Sequence, residues 1–567
     1  MRYHALACDY DGTLARHGRV NEATLAALDR AQASGCRLLI VTGRLLPDLL
    51  EVFPEAKRFD HIVAENGAVL YRPSTGETKD LGPPFDPKFV TELEGRGVNR
   101  ISTGRVIVAT WEPFENIVLD TIRDLGLELQ VIFNKGAVMV LPSGINKATG
   151  MSAALSELGL SARNVVGVGD AENDHAFLSS CECGVAVANA LPTVKERADV
   201  VTSKDHGEGV QEIIEQLLAS DLAEFEPRLT RHHVVLGTTA AGDELALPGY
   251  GATVLVAGSS GAGKSTFATG VLERMLERKA QIVVIDPEGD YGEVEGLTSL
   301  GTSQQPPSVD QVLEMLQRPD QNLVVNLLGV DLESRPEFFG KLLLRLNELR
   351  RALGRPHWII VDEAHHVVPQ GRQPEPELPS SLSGVAWITV RPESVSSAVL
   401  SRVDHAVIIG EQPAKRLARF AEARGLPAPL MAAGDLAPGE AIFWHLENQR
   451  PRRFQTVKPH SERRRHVRKY ASGELPEDRS FYFRGPEGKL KLRAANLTAF
   501  LQLADGVDDE TWLFHLRQHD YSKWIQSAIK DQELAEEAAR VEADSEDAQE
   551  GRARFREIVT RRYTLPA

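Results

Sequence analysis

Two aspartates two residues apart, Asp9 and Asp11, follow the hydrophobic run HALAC in the segment DYDGT. Gly12 lets the chain turn away at once, so both acids face one space. Such a pair can divide labour: one carboxylate attacks phosphorus to form an acyl phosphate, and the other donates and later removes a proton. A dense phosphate charge also needs donors and cations, and the chain supplies them in order. Thr42 offers a hydroxyl, with Gly43 and Arg44 directly behind it, and Lys147 offers a point cation. Asp170 and Asp174, in GDAEND, are oxygen ligands suited to Mg²⁺, and Asn173 between them can orient a phosphate or the second carboxylate. Taken singly, each has an ordinary reading: a turn at 9–12, a solvated lysine, an acid-rich helix start.

A second constellation begins at GSSGAGKS, Gly258 to Ser265. Gly258, Gly261 and Gly263 allow backbone N–H groups to converge on phosphates, with Ser260 and Ala262 in the same loop. Lys264 reaches the terminal phosphates, Ser265 holds Mg²⁺ and Thr266 opens the following helix. Farther on, IIVDE places Asp362 at a strand end, where it would bind magnesium through water, and Glu363 beside it to activate an attacking water. ATP is the implied ligand. The neighbouring His365 and His366 read as ordinary helix-start histidines.

The elements that must position these residues are legible as short β-rich runs alternating with helical patterns. HALAC, CRLLIV, NVVGVG and CGVAVA, with the helix-like 21–35 between the first two, predict a parallel sheet wrapped by helices. Functional residues then fall at strand C-terminal ends. Residues 85–140 interrupt that pattern and read as a small α+β cap. TVLVAG, QIVVID, NLVVNL, HWIIVD, AWITV and HAVIIG predict a second parallel sheet. Residues 219–231 suit a linker, and 536–550 is an acidic stretch expected to pack poorly. The fold class is α/β, with two doubly wound domains, 1–220 and 230–456, and a mainly helical domain, 465–567.

In their order and context the first set of motifs resembles the haloacid dehalogenase superfamily, over about residues 1–215. The resemblance implies Asp9 as nucleophile, Asp11 as general acid/base, Thr42 and Lys147 as phosphate ligands and a magnesium site drawn from Asp9, Asp11, Asp170 and Asp174. ENGA at 65–68 and GINK at 144–147 narrow it to members whose cap lies between the second and third motifs and which mostly act on sugar phosphates. The cap here is short, like that of phosphoglycolate-type phosphatases. Arg105 in the cap is a candidate anion contact, though an exposed strand arginine is the simpler reading.

The second set, with IDPEGDY at 285–291 and ITVRPESV at 388–395, resembles the HerA/FtsK branch of P-loop ATPases over about 235–450. That resemblance implies a homo-oligomer, commonly a hexameric ring, and many members move nucleic acid. Arg391 or Arg402 would then reach a neighbouring subunit's nucleotide. A polar sensor is expected near 390, where Val390-Arg391 stand. The last region resembles a helical module of no assigned chemistry, in which Trp512, His515, Trp524 and Leu534 read as core.

The 567 residues carry a net charge of −16, which does not call for a surface that clings to nucleic acid or anionic lipid; a local patch such as SERRRHVRKY at 461–470 stays open. Four cysteines, Cys8, Cys36, Cys181 and Cys183, are too few for a disulfide framework and read as reduced thiols. No run reaches a membrane span, and a cytoplasmic protein is expected. The predicted function is a Mg²⁺-dependent phosphatase for a small phosphorylated metabolite, fused to an ATP-hydrolysing domain. The alternative is an ATP-driven nucleic-acid translocase or end-processing enzyme with a phosphatase head.

Overall fold

Each apolar run that ends in a polar turn becomes a strand buried on both faces, as parallel strands between helices must be. The first sheet has eight strands, in the order Val200–Val201, Cys183–Ala186, Val165–Gly169, Ala5–Cys8, Arg37–Val41, His61–Ala64, Val69–Arg72 and Glu77–Asp80. The first six are parallel and the last two antiparallel. Cys8 lies level with Val168 on one side and Ile40 on the other. The following residues, Asp9, Asp170 and Thr42, are therefore brought to one edge, where the chain order reverses about the central strand. The computed structural model describes residues 2–259, 262–371, 379, 382–430, 434–447, 450–460, 475, 479–486, 488, 490–529, 531–545 and 547–563.

The cap is a four-stranded antiparallel sheet, Ser102–Thr103, Val108–Trp111, Ala137–Pro142 and Leu129–Asn134, with helices Pro87–Gly95 and Glu115–Asp124. Phe89, Leu93, Val118, Val138 and Val140 form its own small core. Its elements run from Pro87 to Pro142.

The second sheet is larger and more mixed than the pattern suggests. Seven parallel strands, among them Thr253–Gly258, Ile282–Asp286, Trp358–Val361, Val385–Thr389 and His405–Ile409, continue into four antiparallel ones at the edge, Glu440–His445, Arg452–Thr456, Val234–Thr239 and Glu244–Leu247. The expectation of a purely parallel sheet is corrected here. The short connections within 234–247 and 440–456 permit hairpins, not crossovers.

Both sheets belong to one compact unit, Met1–Val457; Lys458–Ala567 forms another. Residues 219–231 do not behave as a free linker. They form short 3₁₀ turns, Leu222 and Leu229 are buried in the first core, and Arg231 pairs with Asp199 at 2.6 Å. The four thiols are buried and unbridged.

In the second unit the hairpin Phe481–Phe483 with Leu492–Ala494 joins helices built around Phe500, Trp512, Tyr521, Trp524 and Phe555. His515 and Leu534 are buried with them, as expected. The acidic stretch is not loosely packed: helix Gln532–Asp544 buries Leu534, Ala538 and Val541. Its Glu542 accepts from the Tyr521 and Ser522 amides, at 3.0 Å each. An amphipathic stripe outweighs the charge count. Residues 461–470 lie outside the described residues.

Two candidate phosphate sites

At the first site Lys147 opens helix Lys147–Leu158, fixed by a capping box in which Asn146 accepts from the Ala148 and Thr149 amides. Its Nζ donates to Asp9 Oδ1 and Asp174 Oδ1, both at 2.6 Å. Asp9, Asp170 and Asp174 can place one oxygen each within 4.8 Å of one another, all buried. Lys135, in the turn between two cap strands, donates to Asp170 Oδ2 at 2.7 Å. Three buried carboxylates thus face two ammonium groups, and an oxygen-rich, net negative cluster fits a hard divalent cation. Burial pushes Asp9 well above the ordinary carboxylate pKa, with Asp174 and Asp170 adding to it and Lys147 opposing. Asp170 is raised likewise by burial, against Lys135. Burial works against the Lys147 ammonium, but Asp174 and Asp9 outweigh it and raise its pKa.

Asp11 stands apart from that cluster. Its carboxylate takes a two-pronged contact from Arg44, at 2.6 and 2.8 Å, and is about half exposed. The structure therefore does not bring its side chain into the predicted metal set, because the alternation at Asp9-Tyr10-Asp11 and the turn at Gly12 aim it toward the cap-side cavity. Thr42 is buried, its hydroxyl accepting from the Arg44 amide at 3.2 Å. Asn173 donates to Asn66 Oδ1 at 2.9 Å, and its own Oδ1 is buried without a partner.

The ENGA and GINK segments pack directly on each other. Gly67 has φ +105°, and a Cβ there would lie 1.9 Å from the Asn146 carbonyl oxygen. Glu65, fully buried, accepts from the Arg105 and Val106 amides at 3.1 and 3.0 Å, tying the turn between the first two cap strands to the sheet.

Between sheet and cap lies a cavity of about 810 Å³, lined by Asp9, Asp11, Thr42, Gly43, Arg44 and Asn173 below and by Arg100, Thr110, Trp111, Asn134, Lys135 and Met139 above. Arg105 is not in it; that side chain pairs with Asp80 at 2.6 Å on the surface. Cap residues Arg100 and Lys135 belong to no sequence motif of the site. The Asn134-Lys135-Gly136 turn between two cap strands, with φ +48° and +84° at the last two, was the available signal for Lys135.

At the second site Gly258 ends its strand, and Gly263, with φ +94°, caps helix Lys264–Glu277. Ser260 and Gly261 lie outside the described residues. Ala262 is described, and Ser265 and Thr266 lie in the helix's first turn. Lys264 Nζ donates to the Ser259 carbonyl at 3.1 Å; burial lowers its pKa, and Glu363 and Asp362 oppose that. Asp362 is buried at the end of strand Trp358–Val361, and burial pushes its carboxyl up to about 7. Glu363 has φ +40° and is also raised by burial, with Lys264 opposing. Burial lowers the imidazoles of His365, to about 4, and of His366.

One residue before Val390 stands a polar residue, Thr389. It is fully buried at a strand end, 3.2 Å from His365 Nδ1. Asp286 has a structural role: it accepts from the amides of Glu288, Gly289, Asp290 and Tyr291, shaping the loop. Arg391 is exposed and Arg402 half-buried, its guanidinium on the Pro379 carbonyl.

Comparison with known proteins decides the first region. The haloacid dehalogenase-like hydrolase family matches residues 6–83 and 85–214. A phosphoglycolate phosphatase of Methanothermobacter thermautotrophicus is 30% identical over 219 residues, covering 38% of this chain and 98% of that protein. The chain belongs to the haloacid dehalogenase-like hydrolases. A phosphoglycolate phosphatase of Haloarcula marismortui is also 30% identical, over 217 residues, covering 37% of this chain and 95% of its own. Among solved structures, a haloacid dehalogenase-like hydrolase from Bacteroides thetaiotaomicron shares 20% identity over 38% of this chain and 99% of that one, with a TM-score of 0.34. The central domain of helicase HerA matches residues 252–303. This hydrolase is thus a phosphatase-type member fused to a HerA-like region. No helix among its described residues is long and apolar enough to cross a membrane.

Proposed function

We propose that the first site is a Mg²⁺-dependent phosphomonoesterase that works through an aspartyl phosphate on Asp9. The observation that supports it best is the buried Lys147 bridging Asp9 and Asp174 beneath the cap-roofed cavity. Asp9 attacks phosphorus and the P–O bond to the leaving group breaks, while Asp11 hands that oxygen a proton. A water then attacks the acyl phosphate, gives its proton back to Asp11, and inorganic phosphate leaves. Thr42, the Gly43 backbone, Lys147 and Asn173 hold the phosphoryl oxygens. Arg44 keeps Asp11 oriented until substrate arrives. Asp9, Asp170 and Asp174 would hold a magnesium ion, which would supply charge neutralisation for the phosphoryl group. The substrate is a small phosphorylated metabolite of the phosphoglycolate or sugar-phosphate kind, in line with the relatives' names and with a cavity carrying Arg100 and Lys135 on its cap side. The test is p-nitrophenyl phosphate hydrolysis with and without Mg²⁺, with Asp9→Asn as control; hydrolysis that survives that substitution rejects the reading.

We infer that the second site binds and hydrolyses ATP, with Lys264 on the phosphates, Ser265 and Asp362 at the magnesium and Glu363 activating water. The HerA match favours one further reading: a nucleic-acid-stimulated motor acting as a ring of copies, with the phosphatase as its head. ATP hydrolysis that does not rise with added DNA or RNA at low salt would reject it.

A further inference from the structure

Both lysines that face phosphate open a helix, and both helices run to one place. Helix Lys147–Leu158 ends at Gly159, whose φ of +65° closes it, and helix Lys264–Glu277 leads through Ala280 to Gln281. Between these ends sits Arg355, with 0% exposure. Its Nε donates to the Gly159 carbonyl at 3.0 Å and its Nη1 to Gln281 Oε1 at 3.0 Å. The remaining N–H groups reach the carbonyls of Gly159, Leu316 and Gln317. The guanidinium therefore occupies the C-terminal ends of two helices, Lys147–Leu158 in the phosphatase and Val309–Leu316 in the HerA-like region, where helix dipoles favour a cation.

The junction extends through strand starts as well. Asn164, just before the strand that ends at Asp170, donates to the Gly354 carbonyl at 3.2 Å; its Oδ1 lies 3.2 Å from His357 Nε2. His357 Nδ1 accepts from the Gln281 amide at 2.8 Å and immediately precedes the strand that ends at Asp362. A Cβ at Gly354 would lie 2.3 Å from Asn164 Nδ2, so the approach is close enough to require glycine. Each catalytic edge is thus one strand or one helix away from this buried polar joint. A helix of 12 residues is a stiff rod of ~18 Å, and a planar five-donor fork fixes direction as well as distance. Elsewhere the two lysine helices line a groove of about 800 Å³, which leaves room for their ends to shift.

We propose that Arg355 is a positioning residue that couples the two sites: nucleotide on the P-loop moves the Lys264 helix and Gln281, and the Arg355 fork passes that movement to Gly159 and so to Lys147. The phosphatase rate then depends on nucleotide. This rests on both readings given under the proposed function, and the test separates their failure from its own.

Full-length protein is assayed with p-nitrophenyl phosphate and Mg²⁺, with and without ADP or a non-hydrolysable ATP analogue, and nucleotide binding is followed in parallel with a fluorescent analogue. The expected result is a change in kcat of about fivefold or more in the wild type, and none in Lys264→Ala. In Arg355→Met the ratio falls to one while nucleotide still binds, and Arg355→Lys, which keeps charge without the fork, gives an intermediate value. A wild-type ratio of one with nucleotide bound overturns the coupling alone; a ratio unchanged in Arg355→Met overturns the role of Arg355. Absent nucleotide binding overturns the P-loop reading together with this one, and absent hydrolysis overturns the phosphatase reading. If Arg355→Met fails to fold, judged by its thermal melt, Gln281→Ala replaces it under the same criterion, because it removes one arm of the joint and leaves the rest.

Discussion

The two phosphate sites of unit Met1–Val457 differ in how their charges are arranged. In the first, Lys147 is locked between Asp9 and Asp174 at 2.6 Å and Lys135 holds Asp170 at 2.7 Å. In the second, Lys264 rests on its own loop at the Ser259 carbonyl, while Asp362, pushed up to about 7, has the Glu363 amide as its hydrogen-bond partner. The first is a preorganised electrostatic site, whose cost of bringing charges together was met in folding. The second keeps its cation and its acids in separate local contacts, so a phosphate chain with its metal is what would join them.

Several substitutions would break or sharpen this contrast. The largest effect is expected from Asp9→Asn, which removes the proposed nucleophile: p-nitrophenyl phosphate hydrolysis should fall by about 10³-fold or more, with ATP hydrolysis unchanged in a phosphate-release assay. Lys264→Ala should do the converse, cutting ATP hydrolysis by about 10²-fold or more and leaving Asp9 chemistry intact in the absence of nucleotide. Loss of both activities in either variant would mean that the two sites are not separate. Glu65→Ala removes the acceptor of the Arg105 and Val106 amides and leaves the buried Val106 N–H unpaired, a loss of ~1–3 kcal/mol. The cap should then close less accurately, kcat/KM should fall by about tenfold, and the thermal midpoint should drop by a few degrees.

The smallest effect concerns stability and pH. Asp362 has a folded-state pKa of about 7 against an ordinary 3.8, so the folded chain holds a proton that the unfolded chain has lost. Its contribution is favourable at low pH, declines as pH rises between those two values and is flat above them. In metal-free and nucleotide-free protein, Asp362→Asn should therefore raise the melting midpoint by a few degrees at pH 8 and by less at pH 5. A gain that is equal at both pH values would show that the carboxylate is not kept from solvent.

Much of the first site was legible because its motifs are local: each follows a strand, and the strand's register does the rest. What escaped came from contacts across the chain. Lys135 lies in a cap hairpin far in sequence from Asp170. Glu65 acts through two amides 40 and 41 residues away. Arg105, offered by its charge and position, turns instead to Asp80, whereas Arg100 and Trp111 line the cavity. Asp11, which the family resemblance sets among the metal ligands, is sent by alternation along the backbone to Arg44, while Asp9 goes to the cluster. Residues 219–231 and 536–550 are held by the buried Leu222, Leu229, Ala538 and Val541, which composition does not show.

By itself the amino-acid order determined the two sets of motifs proposed to bind phosphate and the strands that carry them, because glycine turns, acid pairs and apolar periodicity act over a few residues. Only the tertiary structure decided which acids share a cluster, where the second sheet turns antiparallel and that Arg355 clasps the ends of two helices from different regions. Those outcomes depend on burial and on hydrogen-bond satisfaction between segments far apart along the chain, where a charged group stays buried only if the fold brings partners to it.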